Sequence, residues 1–243
     1  MNGEPLNRKV GLMPSWVMTT IRPKAILMVG IAILLVGVAG CGTDTVVSPP
    51  APDLSAVRTL LVIPFQNLSK IYGENVNARC PLTGEMFMTG PVPDAAPTML
   101  TEHLRSFFQT HTDDALVPPE EAWRIYADII PTPDAPAPGL PVLARSGREA
   151  GADIVVTGHL YRFSRRVGRT YAVQAPASVA FDVHLIQSET GRLLWSGHFD
   201  ETQQSLSENL LTVETFLERG GQWVTAEQMA RAGLDRVLKS LLP

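Results

Sequence analysis

The side chains able to do chemistry are few and scattered. Five histidines, His103, His111, His159, His184 and His198, stand with two cysteines, Cys41 and Cys80. No His-Glu-x-x-His pair occurs and no cysteine pair accompanies the histidines, so the spacing identifies no metal set and no cofactor. His184 and His198 fall on two strands of one expected hairpin and could approach each other, but half-exposed sheet histidines are ordinary surface residues. There is no Gly-x-Ser-x-Gly elbow, phosphate loop or dinucleotide fingerprint. The acid pairs Asp113-Asp114, Glu120-Glu121 and Asp200-Glu201 are adjacent in sequence, whereas a general acid and its base need different environments to hold different pKa values. The residues therefore point away from an enzyme.

One cysteine has a clearer context. Arg22 and Lys24 precede an uncharged apolar run, Ala25 to Gly40, and small residues lead into Cys41. Sixteen residues fall short of the about 20 that a membrane-spanning helix needs. Basic flank, apolar core and small residues are instead the layout of a secretory signal with a cleavage site, residues 1–40. Val38-Ala39-Gly40-Cys41 resembles the lipobox of bacterial lipoproteins. That resemblance implies acylation of the Cys41 thiol with diacylglycerol, cleavage before it and a second acylation of the new amino terminus. Two or three acyl chains, at about 0.8 kcal/mol per buried CH₂, give a lasting anchor in outer-membrane lipid. Gly42 stands where that family carries an aspartate for inner-membrane retention, which implies the outer membrane, periplasmic face. Translation starts at Met1, Met13 or Met18, and residues 1–17 carry no structural reading.

Removing residues 1–40 leaves 16 Lys+Arg against 23 Asp+Glu, a net charge of about −7. An acidic domain without a basic stripe is no nucleic-acid binder. Cys80 is then the one unlipidated thiol in an oxidising compartment, to be buried, paired with another chain, or reactive; burial is the ordinary fate of a free cysteine. Residues 41–56, with Pro49, Pro50 and Pro52, read as a stiffened tether. Residues 57–243 suffice for one domain with its own core.

Within that domain Arg58 to Phe65 is a nearly continuous apolar run, as in a strand covered on both faces. Residues 70–93 have no steady period and make a long loop, a candidate site because loops of that length in compact domains are usually functional or flexible. Its apolar side chains Tyr72, Met86, Phe87 and Met88 either pack down or meet a partner and are candidate partner-binding residues, with Cys80 at least partly covered. Asp94 is placed to cap a helix whose face is Leu100, Leu104 and Phe107 or Phe108. Ala115 to Val117 is a short strand. Pro118 to Glu121 opens a helix with Trp123, Tyr126 and Ile129 or Ile130 inward. Five prolines in 131–141 mark a surface insertion, and Leu143 to Ala150 is a short helix ended by Gly151.

The later chain is strand-rich. Ile154 to Phe163 is a strand; Val179, Phe181, Val183 and Leu185 alternate on a second, and Leu193, Trp195 and Phe199 on a third. Glu189-Thr190-Gly191 fits a tight hairpin between the last two. Leu206, Leu210, Val213 and Leu217 recur at helical spacing. Thr225 and Gln228 form a capping box for a final helix burying Ala230, Leu234, Val237 and Leu241. The fold class is α/β (α+β): a single mixed sheet with helices packed on it, and a C-terminal antiparallel hairpin followed by two helices.

Three stretches, Gly151-Ala152-Asp153-Ile154-Val155-Val156-Thr157-Gly158, Asp182-Val183-His184-Leu185-Ile186 and Thr190-Gly191-Arg192-Leu193-Leu194-Trp195-Ser196, resemble a group of envelope lipoproteins. The group includes the curli-secretion lipoproteins, the lipoprotein activators of penicillin-binding proteins and the amino-terminal domain of the Tol-system propeller protein. The resemblance spans roughly residues 57–200 and implies that mixed fold. Arg162, Arg165, Arg166 and Arg169 add a charge cluster between two strands, either a grip for a carboxylate-bearing partner or a solvated hairpin end. These readings converge on a non-enzymatic, lipid-anchored periplasmic protein that binds another envelope component, a protein or cell-wall material, as an assembly or activator factor. The alternative is a subunit of an oligomeric secretion or transport complex; a cell-wall hydrolase is a distant third.

Overall fold

The computed structural model describes residues 57–169, 172–203 and 224–241. The lipobox with Cys41, the tether and the expected helix through Leu206 to Leu217 lie outside them. Strand β1 (Thr59–Val62) is the continuous apolar run, and Leu60, Leu61 and Val62 are buried because both faces of this strand are covered. It pairs in parallel with β5 (Ala115–Leu116) on one side and β6 (Ile154–Ser164) on the other. Beyond β6, β9 (Ser178–Gln187) and β10 (Leu193–Thr202) add antiparallel, giving the order β10-β9-β6-β1-β5, with short β2 (Gln66–Asn67) also on β6. Gly191, at φ 71, makes the tight turn between β9 and β10. A separate two-stranded ribbon joins β7 (Val167–Arg169) to β8 (Ala172–Ala175). The architecture is the expected mixed sheet with helices.

The chain enters β1 under a clasp: the Asp153 carboxylate accepts hydrogen bonds from the backbone N–H groups of Arg58 and Thr59, at 2.8 and 3.1 Å.

Helices α2 (Ala95–His111) and α5 (Ala226–Lys239) cover one face of the sheet, meeting Leu60, Val62, Val179, Phe181, Val183, Leu185 and Trp195. Trp195 is 1% exposed, on the inner side of the last hairpin as its alternation predicts. The Thr225–Gln228 capping box is formed, satisfying two backbone donors at the start of α5. Asp94 does not cap α2 with its side chain; it pairs with Lys70 at 2.7 Å instead.

On the opposite face, α3 (Pro119–Ile129) and α4 (Leu140–Glu149) cover Leu61, Ile63, Val155 and Ile186. Here α3 presents Ala122 and Ile125, not Trp123, which is 42% exposed; the helix is turned by one position relative to the aromatic spacing. Helix α4 begins inside the Pro-rich stretch, with a proline in its first turn. Its Gly147 lies so close to the sheet that a Cβ there would fall 2.6 Å from Val155 Cγ2 and 2.2 Å from Ser188 Oγ. No helix among the described residues is long and apolar enough to cross a membrane.

Candidate functional site

The stretch 70–93, without period in the sequence, folds as a flap on the same face as α3 and α4. It consists of a one-turn helix, α1 (Ser69–Tyr72), and a hairpin of β3 (Asn77–Arg79) with β4 (Met86–Met88). Both strands are three residues long and alternate exposed, buried, exposed. The flap's two ends are fastened to neighbouring residues of β6, since Leu68 N donates to Leu160 O and Gly90 N to Tyr161 O, both at 3.0 Å. Ser69 Oγ closes the neck by donating to Gly90 O at 2.7 Å.

Beneath it, β6 carries a bulge opposite Ala180, so that the consecutive residues Tyr161 and Arg162 both address the flap. Phe87 packs inward with Ala78, Cys80, Leu68, Tyr161 and Ala180. Arg162 donates from Nη1 to Met88 O at 2.6 Å and forms an ion pair with Asp200, its side chain 12% exposed. Glu85 reaches β10 and lies 3.1 Å from His198 Nδ1.

Between the part of this face covered by helices and the part covered by the flap runs one polar rung. Register sets Thr157 opposite His184 and His159 opposite Asp182. Alternation along β9 sends Phe181, Val183 and Leu185 to the α2–α5 side, and Ala180, Asp182, His184 and Ile186 to the other. Cys80, at the start of the β3–β4 turn, comes down on this rung. Cys80 is 2% exposed, His159 1%, and Asp182 and His184 are fully buried.

The contacts are tight. Asp182 Oδ1 lies 2.8 Å from His159 Nδ1 and 3.0 Å from His184 Nε2, while Tyr161 OH donates to Oδ2 at 2.7 Å. Cys80 Sγ lies 3.5 Å from the same His184 Nε2 and accepts from the backbone N–H groups of Leu82 and Thr83, both at 3.4 Å. Burial alone would raise the Asp182 carboxyl, but the adjacent imidazoles of His184 and His159 hold it well below its usual range. Burial disfavours charged His184, yet Asp182 lifts it to about 10. Burial also pushes the Cys80 thiol up, but hydrogen bonding to His159 and His184 outweighs it and brings the thiol down to about 6. Tyr161 is pushed up by burial and by Asp182, and so stays a protonated donor.

Around His184 the arrangement is not that of a nucleophilic relay. A Cys-His-Asp relay sets nucleophile and carboxylate on opposite ring nitrogens. Cys80 and Asp182 both face Nε2 of His184, and His184 Nδ1 has no hydrogen-bond partner among the described residues.

The other residues singled out from sequence divide. Met86 and Met88 are each 46% exposed on the outer side of β4, and Tyr72 is 45% exposed on α1. Phe87, a candidate partner-binding residue, is buried, because the strict alternation of β4 turns it inward between the two methionines. Arg162 is occupied by the flap and Asp200, and Arg165 Nε donates to Glu227 at 2.9 Å. Arg166 is half-buried and Arg169 ends β7. His184 is not the half-exposed sheet histidine expected; its ring neighbour is His159, at 5.4 Å between centroids, and it contacts Cys80. His159 and Asp182 carried no site reading. A signal for them existed: Asp182 and His184 alternate within a strand that is otherwise apolar or small up to its last residue, Gln187, and His159 interrupts a similar run.

The sequence matches no family model, and no curated protein matches it. Among solved structures it is similar to the PelC dodecamer from Paraburkholderia phytofirmans, with TM-score 0.46 and 13% identity over 82% of this chain and 100% of that one. It is also similar to the LpoB C-terminal domain from Escherichia coli, with TM-score 0.38 and 18% identity over 63% and 88%. The lipoprotein GNA1162 from Neisseria meningitidis matches with TM-score 0.37 and 15% identity over 68% and 99%.

Proposed function

We propose that the chain is an outer-membrane lipoprotein, anchored through acylated Cys41 and facing the periplasm, that works by binding another envelope protein through the outer side of its flap. The observation that carries this reading is the placement of exposed apolar side chains. Of the five large hydrophobic residues that stand exposed among the described residues, Tyr72, Val76, Met86 and Met88 belong to the flap, and Trp123 lies on α3. Solvated methionines side by side on a short, well-anchored hairpin have no packing role of their own, and their unbranched, polarizable side chains adapt to a partner's contours. Support for the anchor comes from the Val38-Ala39-Gly40-Cys41 lipobox and the Pro-rich segment after it.

The test uses the full chain in its own envelope. A photo-crosslinking residue at position 86 or 88 should trap a defined envelope protein, and Met86→Ser with Met88→Ser should abolish that product while leaving the melting temperature within a few degrees, as for exposed substitutions. Unchanged capture by the double variant would sink the flap as the binding surface. Cys41→Ser should end palmitate labelling and leave an unprocessed form; continued labelling would overturn the anchor.

A further inference from the structure

The polar rung under the flap has the composition and shape of a metal centre. We propose that Cys80 Sγ, His159 Nδ1, Asp182 Oδ1 and His184 Nε2 bind one divalent transition-metal ion of the zinc class, which clasps the flap to the sheet. This goes beyond the lipoprotein reading and does not depend on it.

Geometry carries the assignment. The four donor atoms, one from each residue, all lie within 4.8 Å of one another. Around a tetrahedral ion with bonds of about 2.0–2.3 Å, ligand atoms stand about 3.3–3.8 Å apart. Of the six separations, those of 2.8, 3.0 and 3.5 Å need at most tenths of an ångström of spreading to admit an ion, and none exceeds 4.8 Å. A thiolate, two imidazoles and a carboxylate are the donors zinc takes, and two anionic ligands cancel a dication, so no net charge is left in a buried site. Convergence of sulfur and carboxylate on one ring nitrogen, which a catalytic relay does not need, is what a shared ion requires.

The surroundings are built to match. Tyr161 OH engages Asp182 Oδ2, Oδ1 accepts from the His159 backbone N–H at 3.1 Å and faces both imidazoles, and the Leu82 and Thr83 N–H groups stabilise a charged sulfur. All four ligand residues are sealed from solvent, with no position held open for a substrate, which marks a structural centre. Three ligands come from the sheet and the fourth from the flap, so the ion would tie 70–93 to strands far from it in sequence.

The full chain, produced with zinc and purified in mild detergent, should carry about one zinc per chain by elemental mass spectrometry. After chelation, added Co²⁺ should give intense four-coordinate visible bands with a thiolate-to-cobalt band, and Zn²⁺ should raise the melting temperature. Cys80→Ser should lose the thiolate band. Tyr161→Phe keeps all four ligands and should weaken zinc about 10- to 100-fold in competition with a chromophoric chelator, which keeps the test decisive if the ligand variants fold poorly. The proposal is overturned if the folded wild type holds less than about one tenth of an equivalent of zinc and neither ion shifts its melting temperature. It is equally overturned if Cys80→Ser and Asp182→Asn bind zinc as tightly as the wild type, which would put the metal elsewhere.

Discussion

Phe87 lies face to face on Tyr161, with ring centroids 4.2 Å apart and planes 17° from parallel. The tyrosine is fixed from below by its bond to Asp182 and the phenylalanine from above by the hairpin, so this stack joins flap to sheet. Phe87→Ala should therefore cost about 3–5 kcal/mol. For a domain of this length that lowers the melting temperature by roughly 10 °C. Circular dichroism melts check it, and a variant that melts like the wild type would mean that the flap is not held through this stack.

Arg162 joins three elements at once, with Ser178, Asp200 and the Met88 carbonyl as its acceptors. A lysine keeps the charge but not the planar fork that spans these acceptors. Arg162→Lys should lose about 2 kcal/mol and expose the 70–93 segment to limited proteolysis before the rest of the domain. Cleavage at wild-type rates would show that the guanidinium contacts are dispensable.

Glu227, in the first turn of α5, is partly covered, which raises its carboxyl; its own backbone N–H, Thr225 and Arg165 lower it further, and the net shift is downward. A carboxyl depressed on folding contributes stability that is complete above its unfolded pKa and disappears as pH falls through the folded value. Because Arg165 and Glu227 are well solvated, the contribution is about half a kcal/mol. Glu227→Gln should therefore lower stability slightly at pH 7 and by less at pH 3, as read from paired urea titrations. A loss of equal size at both pH values would assign the effect to packing instead.

Much of the architecture was legible because local chemistry and tertiary position agree. Gly191 takes the positive φ that a tight hairpin demands, Thr225 and Gln228 cap α5, and Val179 to Leu185 alternate as a strand with one face on a helical layer. The candidate site was not legible, for a related reason. Alternation reveals that Ala180, Asp182 and His184 share a face, but not what covers that face. The cover is a hairpin whose strands are three residues each, too short to establish a period, and it brings Cys80 onto a residue 104 positions away. The same brevity hid that Phe87 points inward while Met86 and Met88 point out. Trp123 misled because it stands at the outer end of a stripe whose Tyr126 and Ile129 pack at the margin of the core, beside the buried Ala122 and Ile125.

The clasp at the start of β1 bears on mechanics. Any pull arriving through the chain ahead of Val57 enters the sheet along a strand that has parallel neighbours on both sides. The bonds that resist it include Arg58 N and Thr59 N to Asp153, Ala115 N to Arg58 O, Asp153 N to Thr59 O and Val117 N to Leu60 O. Tension directed along β1 stretches these crosswise links in shear, so they share the force and must fail together, whereas an edge strand would unzip one link at a time. A pull on the first residues of the domain thus loads links that resist it as a set.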